Sequence, residues 1–160
     1  MLIIEGIAFC FWLLFICTLC VADGPESMVV FYEQDVQERV VELGLTTKEG
    51  IRKKSRIVIT ALFLPMLIGV PYMVYFINGV RGSREAAIQM CIILLIGGLF
   101  DRIFIDWYWV GHTRAWHIEG TEDLMPYIPK KTMIGKWAGT LIGFPLLAVL
   151  LALIMSVFVK

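Results

Sequence analysis

Four long apolar segments dominate the pattern of this sequence. Each is close to the roughly 20 helical residues that are needed to cross a hydrocarbon core about 30 Å thick. The segments are residues 2–22, 57–77, 86–107 and 137–159. The pattern predicts an all-α integral membrane protein, a four-transmembrane-helix bundle that forms a single membrane domain over residues 1–160.

The third segment is unusual because its apolar part is short. Residues 86–100 are apolar, but a span of full thickness must also include the polar stretch from Asp101 to about Asp106. Ionisable side chains inside a membrane are costly and are functional-site candidates by default. The sequence therefore directs attention to this end of the third span.

The first connection has the pattern of an amphipathic helix. Asp23-Gly-Pro25 is typical of a helix start, and Gly44 is a natural stop. Apolar residues recur between them at spacings of three and four, which predicts one helix lying on the inner membrane surface or against the bundle. These residues are Val29, Tyr32, Val36, Val40 and Leu43. The second span is predicted to begin near Thr47, where Thr46 and Glu49 have capping-box spacing.

Prolines and glycines indicate how the spans bend and pack. Pro65, Pro71 and Pro145 are expected to kink their helices. Small residues permit close helix approach. The glycines expected to do so are Gly97, Gly98, Gly139 and Gly143.

The overall composition agrees with a membrane protein. The chain is 59% hydrophobic and 18% charged, with a mean hydropathy of +0.80. Its 14 basic and 14 acidic residues cancel, so no net field attracts nucleic acid. The four cysteines all lie in predicted spans and are interpreted as packing residues.

The distribution of Lys and Arg predicts the orientation. Ten of them lie in the connections 23–56 and 112–136, against three in the second connection and at the C-terminus. The positive-inside rule then makes those two connections cytoplasmic and both termini non-cytoplasmic, in what we take to be the plasma membrane. A basic cluster at the start of the second span is expected to contact anionic lipids. It consists of Arg52, Lys53, Lys54 and Arg56.

The polar end of the third span could bind a ligand. If that helix continues at 100° per residue, one arc carries the candidate residues. They are Asp101, Arg102, Asp106, Trp109, Trp116, His112 and His117, and Arg114 near the same interface is a further candidate. Arg102 and Asp106 have the i, i+4 spacing of an ion pair, whereas Asp101 needs a proton, a cation or a donor from another helix. The leading hypothesis is a polar or anionic ligand, a lipid headgroup or small metabolite, bound within a transport or lipid-handling system.

Two alternatives remain open. In an enzyme, Asp101, Asp106, His112 and His117 would form an acid/base set, or Asp106, His112 and His117 would bind a metal. Their spacings match no helical metal motif, and the sequence identifies no cofactor. In a scaffold or accessory subunit, the polar face would contact another protein. A homo-oligomer or a partner membrane subunit is expected, because four helices enclose little space.

Overall fold

The computed structural model describes residues 1–159, so Lys160, which was counted with the charges, lies outside it. The described chain is helical and contains no strand. Within it, four helices are long and apolar enough to cross a membrane. They are α1 (Leu2–Ala22), α3 (Lys48–Ile77), α4 (Ser83–Val110) and α5 (Lys130–Phe158), and the short helix α2 (Gln34–Glu42) lies between α1 and α3.

Three of these helices are longer than their apolar segments. α3 begins nine residues before the apolar segment at residue 57, and α5 begins seven residues before residue 137. The predicted start near Thr47 is confirmed, since the Thr47 hydroxyl accepts a hydrogen bond of 3.0 Å from the Gly50 N–H. The predicted capping box of Thr46 and Glu49 is wrong, because the N-cap residue of α3 is Thr47 and not Thr46.

The three prolines in the spans do not interrupt their helices. Wide turns with i to i+5 hydrogen bonds occupy Pro65–Gly69, Met73–Ile77 and Gly139–Gly143. Such turns absorb an irregularity in the hydrogen-bond ladder while the helix continues. Pro71 and Pro145 each follow one of these turns within two residues.

Two adjacent glycines allow α4 to pack closely against both α1 and α5. A Cβ atom added at Gly97 would lie 2.2 Å from the ring of Phe9 on α1. One added at Gly98 would lie 2.6 Å from the ring of Phe144 on α5. The close approach predicted for Gly97 and Gly98 is therefore confirmed, whereas the one predicted for Gly139 and Gly143 is wrong, since an added Cβ at either would meet nothing within 4 Å in residues 1–159.

The first connection is not one continuous helix. A 3₁₀ turn at Pro25–Phe31 is separated from α2 by extended backbone at Tyr32 and Glu33. The break turns Tyr32 inward, where its ring stacks on Tyr127 with centroids 4.6 Å apart. Its hydroxyl donates to the Trp116 carbonyl at 3.3 Å. The contacts of Tyr32 with Tyr127 and Trp116 thus stabilise the broken conformation over one continuous helix.

The predicted apolar stripe is nevertheless buried at four of its five positions. Val29, Tyr32, Val36 and Val40 are at most 6% exposed, whereas Leu43 is 46% exposed. Gly44, with φ of 72°, ends the segment as expected.

The first and third connections pack against each other. We call residues 25–42 and 111–129 together the connection cap, because they cover one end of the four long helices. Trp116, Ile118 and Tyr127 are its buried centre, each at most 4% exposed. The Tyr127 hydroxyl accepts from the Ile118 N–H at 3.0 Å. The cap is thus an ordered small core and not a pair of loose loops.

The glycines offer a matched test of the packing. Gly97→Ala should lower the free energy of unfolding by about 1–3 kcal/mol, because the new methyl overlaps Phe9. Gly143→Ala is the control, since an added Cβ there meets nothing within 4 Å in residues 1–159. Chemical unfolding in detergent micelles measures both. Equal destabilisation of the two variants would contradict this packing.

Candidate functional site

A cavity of about 320 Å³ lies between the four long helices and beneath the connection cap. Small-molecule sites typically enclose about 300–1,000 Å³. Its walls are largely apolar. The apolar side chains come from all four long helices and from the connection cap, and include Phe9, Leu62, Met66, Ile105, Phe144 and Ile128.

Part of the cavity wall is formed by an ion network. Asp101, Arg102 and Asp106 lie on the wide-turned stretch Asp101–Val110 of α4. The two terminal nitrogens of Arg102 donate separately, one to Asp106 and the other to Asp101. Lys136 on α5 donates to the second oxygen of Asp106 at 2.8 Å. The network therefore joins α4 to α5.

The network is balanced in charge. In their ionised forms, two carboxylates and two cations sum to zero. Arg102 is 8% exposed and Asp106 is 5% exposed. Buried charges are tolerated when they are paired and hydrogen-bonded, as Arg102 and Asp106 are with each other.

Two donors at the cavity remain free. Within residues 1–159, the Nε atom of Arg102 and the Nε1 atom of Trp116 are buried and have no hydrogen-bond partner. Both residues line the cavity. A buried donor without an acceptor costs about 1–3 kcal/mol. These two atoms are themselves fully buried, so they do not face the open part of the cavity.

Tyr32 supports this part of the site from the cap. Burial raises the pKa of its hydroxyl above the usual range, and the neighbouring Tyr127 and Asp106 add to the effect. The hydroxyl therefore stays protonated at neutral pH and continues to donate to the Trp116 carbonyl.

The structure brings four of the six predicted ligand residues to the cavity: Asp101, Arg102, Asp106 and Trp116. Trp109 stands behind it, with its ring edge-on to Trp116 at 5.0 Å. Arg114 is exposed on the cap and, among the described residues, is not part of the cavity lining.

The single helical arc expected through residue 117 is wrong. The helix stops after His112, Thr113 is extended, and Arg114–Trp116 form a 3₁₀ turn. The Thr113 hydroxyl donates to the Trp109 carbonyl at 2.5 Å and so caps the helix end. Trp116 reaches the cavity because the chain folds back. Asp101 finds its partner in the adjacent Arg102, and the donor from another helix reaches Asp106 instead.

The two histidines lie apart from the ion network. His112 is exposed and its Nδ1 atom lies 2.6 Å from the Trp107 carbonyl oxygen. His117 is half-buried in the cap. In the part of the chain that the structure describes, no three His, Cys, Asp or Glu side chains are grouped as metal ligands, and this includes Asp106 with His112 and His117.

Sequence reasoning did not assign Thr140 and Cys17 to the site, although both line the cavity, and it did not predict the contact of Lys136 with Asp106. Lys136 was placed in a cytoplasmic connection, yet it lies in the second turn of α5. Pro129 directly before Lys130 is a helix-start signal that could have extended this helix. The contact of Lys136 with Asp106 joins residues 30 positions apart, whereas helical spacing predicts contacts only between residues three or four positions apart.

Comparisons with protein-family models, with curated proteins and with solved structures found no match to this chain. The functional argument therefore depends on the chemistry of the cavity.

Asp106→Ala should strongly destabilise the protein, because it removes an acceptor from both Arg102 and Lys136. The expected loss is about 3–5 kcal/mol in the free energy of unfolding. Asp123→Ala is the control: it removes the exposed pair with Arg39 at 3.2 Å and should cost less than about 1 kcal/mol. Similar losses in the two variants would rule out a buried network.

Proposed function

We propose that this chain is an integral membrane four-helix bundle that binds an amphiphilic, lipid-like ligand. The apolar part of the ligand occupies the cavity, and its polar head meets the network of Asp101, Arg102, Asp106 and Lys136. The observation that carries the proposal is the presence of this network in the wall of a largely apolar cavity.

The cavity walls favour a lipid-like ligand over a small hydrophilic metabolite. Apolar side chains gain by contact with hydrocarbon and gain nothing from a fully polar solute. A ligand with one polar end and one apolar end matches both parts of the cavity. Such binding fits a role in lipid handling or in the transport of an amphiphile.

The basic start of α3 supports a cytoplasmic position for the connection cap. Arg52, Lys53 and Arg56 line a shallow groove and are available to anionic headgroups. Lys54 differs from them, because its Nζ atom lies 2.6 Å from Asp23 and also donates to Ser27. We therefore assign anionic-lipid contacts to the first three residues.

Filling the cavity tests the proposed function. Cys17 is 6% exposed and lines the cavity, so Cys17→Phe places a ring where the ligand would lie. The matched control, Leu19→Phe, adds a ring at a position that is 53% exposed on the same helix. After purification in mild detergent, mass spectrometry of the extracted lipids should find a stoichiometric amphiphile in the wild type and Leu19→Phe and its loss in Cys17→Phe.

Thermal unfolding of the same samples is the folding control. A ring that enters an existing cavity should leave the unfolding temperature of Cys17→Phe at or above the wild-type value. Retention of the same amphiphile by a folded Cys17→Phe variant would contradict the proposed site.

Cysteine labelling tests the proposed orientation. A membrane-impermeant maleimide added to intact cells should label Gly82→Cys, between α3 and α4, and should spare Leu45→Cys, between α2 and α3. Both positions are exposed in the structure. The four native cysteines set the background, which the unmodified chain measures. Labelling of Leu45→Cys without labelling of Gly82→Cys would show that the chain has the opposite orientation.

A further inference from the structure

We propose that the ligand of this cavity has a zwitterionic head, with an ammonium group and an anionic oxygen group. Asp101 accepts from the ammonium group, and Lys136 and Thr140 donate to the anionic group. This inference rests on the proposed function and specifies the ligand class of the same site. It narrows the polar or anionic ligand predicted from the sequence to one that carries both charges.

The ion network consists of a buried pair and two accessible members. Arg102 and Asp106 are paired with each other and are 8% and 5% exposed. The side chains of Asp101 and Lys136 are 29% and 26% exposed. A ligand can therefore reach one carboxylate and one ammonium group of opposite charge, while the buried pair holds both of them in place.

Both accessible members keep unused hydrogen-bonding capacity. Asp101 accepts from Arg102 through one oxygen, and its other oxygen has no partner within residues 1–159 and retains accessible surface. Lys136 carries three N–H groups and donates one of them to Asp106. An ammonium group can donate to the free oxygen of Asp101, and an anion can accept from Lys136.

Thr140 adds an uncharged donor beside Lys136. The residue is 3% exposed, and its hydroxyl retains accessible surface but makes no hydrogen bond in the described part of the chain. Thr140 follows Lys136 by four positions on α5, so the two side chains share one helix face. A hydroxyl and an ammonium group at this spacing suit the oxygens of a single anionic group.

The packing of α5 against α4 turns these groups toward the cavity. The Thr140 methyl lies against α4, since a Cβ atom added at Gly98 would be 2.7 Å from it. Asp101 follows Gly98 by three positions on α4, and Lys136 reaches across to Asp106 of the same helix. All five residues line the cavity. Because Thr140 is on the face of α5 that is turned to α4, its accessible hydroxyl opens into the cavity.

The charge balance of the network favours a zwitterion over a simple ion. In their ionised forms the four groups sum to zero. A cationic head would pair with Asp101 but leave an excess positive charge, and an anionic head would leave an excess negative charge. An uncompensated charge in a largely apolar cavity is costly. A zwitterionic head pairs with both accessible groups and adds no net charge.

Three probes with the same ten-carbon chain test the head group. Decyl phosphoethanolamine carries both charges, decyl methyl phosphate carries only the anionic one, and decylamine carries only the cationic one. Equilibrium binding of the radiolabelled probes is measured on the full chain in nonionic maltoside micelles, and binding to Cys17→Phe micelles is subtracted as micelle partitioning. Decyl phosphoethanolamine should bind roughly tenfold more tightly than either of the other probes.

Thr140→Val tests the uncharged donor. It keeps the shape of the side chain but removes the hydroxyl, and it should raise the Kd of decyl phosphoethanolamine about 2- to 12-fold. No protein group loses a hydrogen bond, so thermal unfolding should match the wild type. Thr60→Val is the matched control, because Thr60 is exposed on α3 and is not part of the cavity lining among the described residues. Its Kd should not change.

Asp101→Asn tests the carboxylate through selectivity. It removes the charge that faces the ammonium group, so the Kd of decyl phosphoethanolamine should rise roughly tenfold. The Kd of decyl methyl phosphate should not rise, because that probe has no ammonium group. A purely structural role of Asp101 would weaken the binding of both probes alike.

The outcomes separate this inference from the proposed function. Equal or tighter binding of decyl methyl phosphate or decylamine would overturn the zwitterionic head while leaving an amphiphile site in place. An unchanged Kd of decyl phosphoethanolamine in both Thr140→Val and Asp101→Asn would overturn the assigned contacts. If no probe binds above the Cys17→Phe background, or if an equal concentration of phosphoethanolamine, which lacks the chain, displaces decyl phosphoethanolamine, the proposed function fails together with the inference.

Discussion

The sharing of Arg102 between Asp101 and Asp106, with Lys136 as the second cation on Asp106, is the interaction on which the rest of this structure depends. Arg102 and Asp106 are the centre of this network: removal of Asp106 leaves Lys136 without its carboxylate, and removal of Arg102 leaves Asp101 without its cation. The network also fixes α4 against α5. It thereby places charged groups in the wall of a cavity that is otherwise largely apolar.

The packing of α4 explains why the cavity begins where it does. At Gly97 and Gly98, neighbouring aromatic rings approach the α4 backbone closely and leave no room. Gly98 is also at the edge of the cavity, and Asp101 follows one turn later. Beyond that turn the connection cap closes the end of the long helices, with Tyr32, Tyr127 and Trp116 at its centre. Along α4, the closely packed segment is therefore followed directly by the segment that lines the cavity.

Much of the fold was predictable because it depends on local patterns. Apolar length located the four long helices, and the i, i+4 spacing of Arg102 and Asp106 located their ion pair. The break at Tyr32, the return of Trp116 to the cavity and the contact of Lys136 with Asp106 were not predicted. Each depends on contacts 30 or more positions apart, which periodicity cannot encode. The histidines are the opposite case. Their closeness to Asp101 and Asp106 along the chain suggested a cluster, but His112 lies at the end of the helix and His117 beyond it, apart from the ion network.

A double-mutant cycle between Asp106 and Lys136 tests the central claim most directly. The free energy of unfolding is measured for Asp106→Asn, Lys136→Met and the double variant. A network that joins α4 to α5 predicts a coupling energy of about 0.5–3 kcal/mol, because the second substitution costs little once the first has broken the pair. Additive effects, equal within about 0.3–0.5 kcal/mol, would show that the two residues do not interact and would contradict this account.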